Sequence, residues 1–155
     1  MSAPQLGRAA PDFSLPDSSG GAFRLKDARG EIVVLYFYPR NNTPGCTLEG
    51  QQFQQLLPAF RRAGARIYGI SRDSVASHRR FCEQQGFGFE LLADEDETAC
   101  RRYDVIREKH MYGRKHLGVE RSTFLIDARG VLRQEWRKVR VDGHAKAVLE
   151  AVKAL

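Results

Sequence analysis

The sequence predicts one domain of the α/β class, with a mixed central β-sheet and helices on both faces. Two stretches without polar alternation, 31–38 (EIVVLYFY) and 65–71 (ARIYGIS), are typical of strands that are buried on both sides of a sheet. A segment with helical periodicity follows each of them, and strands that alternate with helices build a sheet covered by those helices. The length of 155 residues is that of a single domain, and we therefore assign residues 1–155 to one.

Turn formers and capping residues place the other elements. In chain order they are an N-terminal β-hairpin (12–25), a helix from Cys46 to Ala63, a helix capped by Asp73 or Ser74 that ends near Gln85, a strand (89–94), a helix (97–105), a hairpin (121–127 and 131–139) and a C-terminal helix (142–155). Pro58 is expected to kink or divide the first helix. This order of elements favours an α/β sandwich of the thioredoxin type.

The composition excludes several classes of protein. With 42% hydrophobic and 28% charged residues the chain is not disordered, and three cysteines are too few for a disulfide scaffold. The longest apolar run, 32–38, is too short to cross a bilayer, and the first residues lack the apolar stretch of a signal peptide. We therefore expect a protein of the reducing cytoplasm that has no membrane partner.

The net charge of +6 is concentrated in the second part of the chain. Residues 1–100 carry 11 Lys and Arg against 12 Asp and Glu, whereas residues 101–155 carry 14 against 7. Acidic residues are interleaved with the basic ones, and no DNA-binding signature accompanies them, so we expect a solvated face and no nucleic-acid partner. The cysteine and histidine spacings match no common metal-ligand pattern, and neither a metal nor a cofactor is expected. His78 and His144 are expected on helix surfaces.

The segment 39–47 (PRNNTPGCT) is the most informative for chemistry, because it places Cys46 at the start of a helix directly after a buried strand. The free N–H groups and the partial positive charge of a helix start stabilise a thiolate relative to the thiol, and the thiolate is the nucleophilic form. Thr43 can direct its hydroxyl toward the same sulfur. The alternative is a buried cysteine that acts as a small apolar residue. Dithiol exchange by a C-x-x-C motif is excluded, because no cysteine lies three residues from Cys46.

The segment 37–50 (FYPRNNTPGCTLEG) resembles the active-site signature of the peroxiredoxins, and most closely that of the peroxiredoxin Q or bacterioferritin comigratory protein subfamily. The similarity continues through GISRDSVASHRRF (69–81), LLADEDE (91–97), YDVIREKHMYGRKHLGVERSTFLID (103–127) and WRKVRVDGHAKAVL (136–149). It spans nearly the whole chain. The resemblance implies a thioredoxin-like fold and a peroxidase that attacks the peroxide O–O bond with a thiolate, leaving a sulfenic acid.

The resemblance also assigns roles to single residues. The peroxidatic cysteine falls on Cys46, the conserved threonine on Thr43, the active-site proline on Pro39 and the arginine on Arg121. An arginine is always cationic and offers several donors, so Arg121 can stabilise the thiolate and hold the peroxide.

Two further residues are expected to support these. With Thr43 Oγ, the backbone N–H groups of Gly45 and Cys46 are expected to supply the other hydrogen bonds for the charge that develops on the peroxide oxygens. Glu49, in the first turn of the helix, is expected to orient Arg121, although the helix dipole alone also favours an acid there.

The residues alone leave open which thiol resolves the sulfenic acid. Many members of the subfamily carry it five residues after the peroxidatic cysteine, where this chain has Gln51. Cys82, Cys100, a second chain and a small thiol remain open on the residues alone. Some members use a cysteine in the helix that contains Cys82, so the resemblance implies a Cys46–Cys82 disulfide after local unwinding, with Cys100 structural.

The resemblance further implies hydrogen peroxide and small alkyl hydroperoxides as substrates, thioredoxin as the reductant, and a monomer. The rival hypothesis is a stoichiometric peroxide sensor or a redox-regulated chaperone that is oxidised at Cys46 without turning over.

Overall fold

The computed structural model describes residues 3–155, apart from the side chain of Met111. Its elements in chain order are β1 (Ser14–Pro16), β2 (Ala22–Arg24), a 3-10 turn (Leu25–Ala28), β3 (Ile32–Phe37), α1 (Pro44–Arg62), β4 (Ala65–Ser71), α2 (Val75–Gln85), β5 (Glu90–Ala93), α3 (Thr98–Arg102), β6 (Ile106–Met111), β7 (Arg114–Val119), β8 (Ser122–Ile126), β9 (Leu132–Trp136) and α4 (His144–Lys153). A five-stranded sheet in the order β5-β4-β3-β8-β9 forms the centre. Strands β3, β4 and β5 are parallel, and β8 and β9 run antiparallel to their neighbours, which makes the sheet mixed.

Strand β3 lies in the middle of this sheet and is covered on both faces. Val33, Leu35 and Phe37 pack into one apolar cluster, and Val34 and Tyr36 pack into another. Because successive side chains of a strand point to opposite faces, the run without polar alternation reflects burial on both sides. The sequence prediction of a buried central strand is confirmed.

The two clusters are closed by different elements. Helices α1 and α4, together with Phe81 of α2, cover the face of Val34 and Tyr36. The N-terminal hairpin β1–β2, the 3-10 turn and α3 cover the face of Val33 and Phe37. The predicted mixed sheet with helices on both faces and an N-terminal hairpin is therefore present.

Some local predictions need correction. Helix α1 is not divided at Pro58, because Phe53, Leu57 and Phe60 are buried on either side of it and their burial outweighs one lost backbone hydrogen bond. Helix α3 is shorter than predicted, since it ends at Arg102.

A second hairpin, β6–β7, was not predicted. Its strands carry mostly charged and polar side chains, so the apolar alternation that marks a strand is missing. The signal that was present is the two-residue turn Tyr112–Gly113, in which both residues have positive φ, as the tight turns of β-hairpins require.

The carboxyl end of β3 brings three distant parts of the chain together. Strand β8 is antiparallel to β3, so its first residue, Ser122, pairs with Phe37, the last residue of β3. Strand β4 is parallel to β3 and delivers the start of α2 to the same edge. Among residues 3–155 no helix is both long and apolar enough to span a bilayer.

Candidate active site

Cys46 is the third residue of α1 and lies beneath the carboxyl edge of the sheet with only 2% of its surface exposed. Thr43 occupies the N-cap position, but its side chain does not cap the helix. Its hydroxyl donates instead to the carbonyl of Arg40 at 2.9 Å. Pro39 follows β3 directly and is half-buried.

Arg121 connects Cys46 to a buried acid. Its Nη2 donates to the Cys46 sulfur at 3.4 Å, and its Nη1 donates to Glu49 Oε1 at 2.6 Å. Glu49 lies three residues after Cys46 in α1, on the same side of the helix. A single guanidinium therefore bridges the thiol and the carboxylate, which fixes the cation beside the sulfur.

The electrostatics of Glu49 are unusual for a carboxylate. Only 1% of the residue is exposed, and this burial raises its pKa to about 7 although the charge of Arg121 opposes the shift. Its second oxygen, Oε2, has no hydrogen-bond partner among the described residues. The carboxylate therefore depends on Arg121 for its charged form.

Gly45 gives Arg121 the space to reach the sulfur. A Cβ atom at this position would lie 3.1 Å from Arg121 Nη2. A larger residue would have to displace the guanidinium, so the glycine of the motif has a steric reason.

Cys82 lies in the last turn of α2 and is half-buried. Its thiol donates to Ser18 Oγ at 3.6 Å, in the turn between β1 and β2, and burial raises its pKa. All three cysteines of the chain are free thiols.

The helices that contain Cys46 and Cys82 touch each other one turn further along. Gln51 Nε2 donates to Gln85 Oε1 at 2.8 Å, and Gly50 faces the ring of Phe87. The two cysteines therefore lie on neighbouring elements, each about one turn before this contact.

Cys100 lies apart from both. It is fully buried in the cluster on the opposite face of the sheet, and burial raises the pKa of its thiol. Its backbone N–H donates to the buried carboxylate of Asp94 at 2.7 Å. This environment is that of a small core residue.

The prediction that His78 and His144 lie on helix surfaces was wrong. His78 is completely buried and His144 is 6% exposed. His144 exchanges a hydrogen bond with Thr123 Oγ1 at 2.7 Å, and burial lowers its pKa to about 4. Helical periodicity alone misplaced them because each ring finds a hydrogen-bond partner inside the protein, His78 at the Leu92 carbonyl and His144 at Thr123. Within residues 3–155, no group of three or more His, Cys, Asp and Glu side chains is arranged to hold a metal ion.

Sequence reasoning also missed Lys109, which lies on β6 near the site. Its Nζ donates to the carbonyl of Val119 at 2.7 Å, and burial together with the charge of Arg121 lowers its pKa. No local pattern distinguishes this lysine from its basic neighbours in the hairpin.

The chain is similar to known proteins over nearly its whole length. The model of the AhpC/TSA family matches residues 6–135. Peroxiredoxin Bcp of Xanthomonas campestris is 54% identical over 150 residues, which are 97% of this chain and 94% of that protein. Peroxiredoxin Bcp of Escherichia coli is 36% identical over 149 residues, with 96% of each chain covered.

Solved structures show the same fold. X. campestris peroxiredoxin Q superposes with a TM-score of 0.88 at 55% identity, over 92% of this chain and 90% of that one. A cysteine-to-serine variant of Xylella fastidiosa PrxQ superposes with a TM-score of 0.93 at 43% identity, over 99% and 98% of the two chains. The thioredoxin-like fold is confirmed.

The thioredoxin-like fold, the cysteine at a helix start and the family match together define this chain as a thiol-dependent peroxidase. The chain belongs to the AhpC/TSA family, the peroxiredoxins. Within that family its similarity is to the proteins named Bcp and peroxiredoxin Q. Peroxides are its class of substrate, and a thiol returns it to the reduced form.

Proposed function

We propose that this peroxidase reduces hydrogen peroxide and small alkyl hydroperoxides with Cys46 as the peroxidatic residue and Cys82 as the resolving one. The observation that carries the proposal is the guanidinium of Arg121, 3.4 Å from the Cys46 sulfur at the start of α1. A fixed cation and a helix N-terminus favour the thiolate, and the same donors suit the oxygens of a peroxide.

In the first step the Cys46 thiolate attacks one peroxide oxygen and the O–O bond breaks. The attacked oxygen stays on the sulfur as a sulfenic acid, and the other leaves as hydroxide or alkoxide and takes a proton to become water or an alcohol. Arg121 stabilises the charge on the sulfur and on the leaving oxygen. Glu49 holds Arg121 in place through the 2.6 Å contact with its Nη1.

Thr43, Gly45 and Pro39 complete the proposed site. The backbone N–H groups of Gly45 and Cys46 are free to donate, because the first N–H groups of a helix have no partner within it. Thr43 is proposed to donate to the bound peroxide after leaving the Arg40 carbonyl. Pro39 is proposed to limit access of water to the sulfur.

In the second step the Cys82 thiol attacks the sulfenic acid, a Cys46–Cys82 disulfide forms, and one water molecule leaves. A disulfide requires Cα atoms about 4.4–6.8 Å apart, whereas both cysteines here are held in folded helices. We propose that one or both helix ends unwind to bring the cysteines together, since helix ends are among the least stable parts of a fold. Solved structures of the X. campestris protein include serine variants at two cysteines separated by the same number of residues as Cys46 and Cys82.

The reductant and the substrates follow the same reasoning. Structures of the X. campestris bacterioferritin comigratory protein in trapped intermediate and ligand complexes concern alkyl peroxide reduction, which supports alkyl hydroperoxides as substrates here. A dithiol protein such as thioredoxin is proposed to reduce the disulfide by exchange. A monomer in the cytoplasm, as one domain over residues 1–155, stays a prediction from the sequence.

The roles of the cysteines are tested by substitution. Cys46→Ser is expected to abolish peroxide consumption, and Cys82→Ser is expected to oxidise once and then lose turnover with thioredoxin. Cys100→Ala is the matched control, and its turnover should stay within a few-fold of the unsubstituted protein because Cys100 lies in the opposite core cluster. Non-reducing peptide mapping after peroxide treatment should show a Cys46–Cys82 linkage. A Cys46–Cys100 linkage, or full turnover of Cys82→Ser, would contradict the assignment.

The rival hypothesis of a stoichiometric sensor or redox-regulated chaperone predicts a different stoichiometry. With thioredoxin, thioredoxin reductase and NADPH, a peroxidase consumes many equivalents of peroxide per chain. Consumption that stops at one equivalent, while the disulfide persists in the presence of the reductant, would favour the sensor.

A further inference from the structure

A buried polar cluster that the reaction does not use connects the loop before Cys46 to the helix of Cys82. Asn41, in the loop between β3 and α1, is 5% exposed, and His78 in α2 is fully buried. Asn41 Nδ2 lies 3.0 Å from His78 Nδ1 and 3.1 Å from Ser77 Oγ. The backbone N–H of Asn41 also donates to Asp73 Oδ2 at 3.0 Å. We call this set of contacts the Asn41–His78 joint.

The chemistry of the partners fixes the proton positions in the joint. An amide Nδ2 only donates, so His78 Nδ1 accepts from Asn41, and the Nε2–H group of the ring donates to the carbonyl of Leu92 at 3.0 Å. The hydroxyl of Tyr38 donates to Asn41 Oδ1 at 2.6 Å. Each strong donor and acceptor of the two side chains is therefore used. The joint is tied to Tyr38, the residue that follows β3, and to Leu92 in β5.

The joint should stay intact when the helix turns that contain Cys46 and Cys82 unwind. Separating Asn41 from His78 would leave several buried polar groups without partners, and such groups are costly to leave unpaired. By contrast, Cys46 and Cys82 lie near helix ends. The side chain of Thr43 does not cap the start of α1, and the residues after Cys82 are partly exposed. Unwinding of the helix turns that begins at Cys46 and Cys82 is therefore expected to stop at the joint.

Both cysteines are close in sequence to the residues of the joint. Cys46 is five residues after Asn41, and Cys82 is four residues after His78. With the joint closed, only five residues connect it to Cys46 and only four connect it to Cys82. We call these two connecting segments the arms. Without it, the next fixed contact back along both segments is the bond from Tyr38 N–H to the Ile70 carbonyl at 3.0 Å, and the combined length of the two arms about doubles.

Resting on the proposed Cys46–Cys82 disulfide, we propose that Asn41 and His78 are positioning residues for resolution: they form a hinge that stays closed while Cys46 and Cys82 swing together. Each doubling of a flexible loop lowers the probability of closure about threefold. Loss of the hinge therefore slows disulfide formation and leaves the sulfenic acid exposed to a second peroxide, which oxidises it to a sulfinic acid with loss of water or an alcohol.

The first test separates the two chemical steps in Asn41→Ala. Rapid quenching and mass spectrometry give the second-order rate of Cys46 oxidation and the first-order rate of disulfide formation. The backbone N–H of residue 41 still donates to Asp73 in this variant, so only the arm that leads to Cys82 lengthens. We expect the oxidation rate to stay within about twofold, disulfide formation to slow by about twofold, and more Cys46 sulfinic acid at high peroxide. Val148→Ala in α4, where Val148 is fully buried, is the control for lost stability alone. Equal or faster disulfide formation in Asn41→Ala, or the same slowing in Val148→Ala, overturns the hinge.

The second test uses the unsubstituted protein, so it does not depend on how a variant folds. Amide hydrogen exchange is compared between the dithiol and disulfide forms. The amides of Thr47 and Gly86, which donate to the Thr43 and Cys82 carbonyls, should lose protection on oxidation, whereas those of Asn41 and His78 should keep it. Equal loss at all four positions overturns the hinge while leaving the disulfide intact. Peroxide treatment that yields no Cys46–Cys82 disulfide overturns both this proposal and the resolving role of Cys82.

Discussion

Glu49 is the residue at which burial and charge compete most directly in this protein. Burial disfavours the charged form of this carboxyl group, and only the contact with Arg121 offsets the cost of the charge. Its folded-state pKa of about 7 lies above the ordinary value of 4.5. Between these two pH values the folded state binds more protons than the unfolded state, so the free energy of unfolding falls as pH rises across the window.

Replacing Glu49 by glutamine removes both effects. Relative to the unsubstituted protein, Glu49→Gln should become more stable as pH rises from 5 to 8, because a neutral amide carries no cost of ionisation. Peroxide reduction should slow by about tenfold, since a neutral acceptor holds Arg121 more weakly than a carboxylate does. Urea unfolding at several pH values and peroxide kinetics give the two readouts. The exposed Glu83→Gln is the control, and parallel pH profiles for Glu49→Gln and the unsubstituted protein would show that Glu49 has an ordinary pKa.

At the scale of elements, helix α1 packs very closely against the chain segment after α2. Gly50 packs so closely on this segment that a Cβ atom would lie 2.4 Å from the ring of Phe87. Phe87 in turn stacks on Phe89 and meets the ring of Phe81 edge-on. The glycine is needed here for space, because helix interiors otherwise favour alanine.

Gly50→Ala should therefore destabilise the protein by about 1–3 kcal/mol, in spite of the better helix propensity of alanine. The overlap pushes Phe87 away from α1 and loosens the last turn of α2, in which Cys82 lies. Chemical denaturation measures the loss, with Gln55→Ala on the exposed side of α1 as the control. A Gly50→Ala variant as stable as Gln55→Ala would mean that the ring moves aside without cost.

At the scale of the whole molecule, the buried histidines give the protein its expected acid sensitivity. His144 closes the core between α1 and the sheet, where its ring meets Phe53 and Trp136 edge-on. Burial lowers its folded-state pKa to about 4, below the ordinary 6.5. The unfolded chain binds the proton first as pH falls, so this contribution to stability is present above pH 6.5 and is lost as pH falls toward 4.

His144→Gln tests this contribution. The unsubstituted protein should lose about 3 kcal/mol through this group between pH 6.5 and 4, from the shift of its pKa, and the variant should show a shallower decline. Unfolding free energies across this range are the measurement. His116→Gln, at an exposed position of β7, should decline like the unsubstituted protein. An identical slope in His144→Gln would contradict the buried neutral ring.

Several features of the protein could be predicted from local sequence. Buried strands were recognisable because Val, Leu and aromatic residues without polar alternation cannot face water on either side. Strand β4 was placed at its observed bounds, and α2 was placed by Ser74, whose side chain accepts from the Ser77 N–H, and by Gly86 in the left-handed region at its end. Cys46 at a helix start is likewise a local property of the strand, loop and helix around it.

Tertiary structure alone decided which distant residues meet. Arg121 comes next to Cys46 because β8 pairs antiparallel with β3 and so begins where β3 ends, and a strand pattern does not state its partner or direction. The burial of His78 and His144 was likewise decided by the hydrogen bonds their rings find on other strands. Local sequence fixes periodicity and caps, which involve neighbours within a turn or two. Pairing and burial depend on contacts between segments far apart in the chain, and those exist only once the chain has folded.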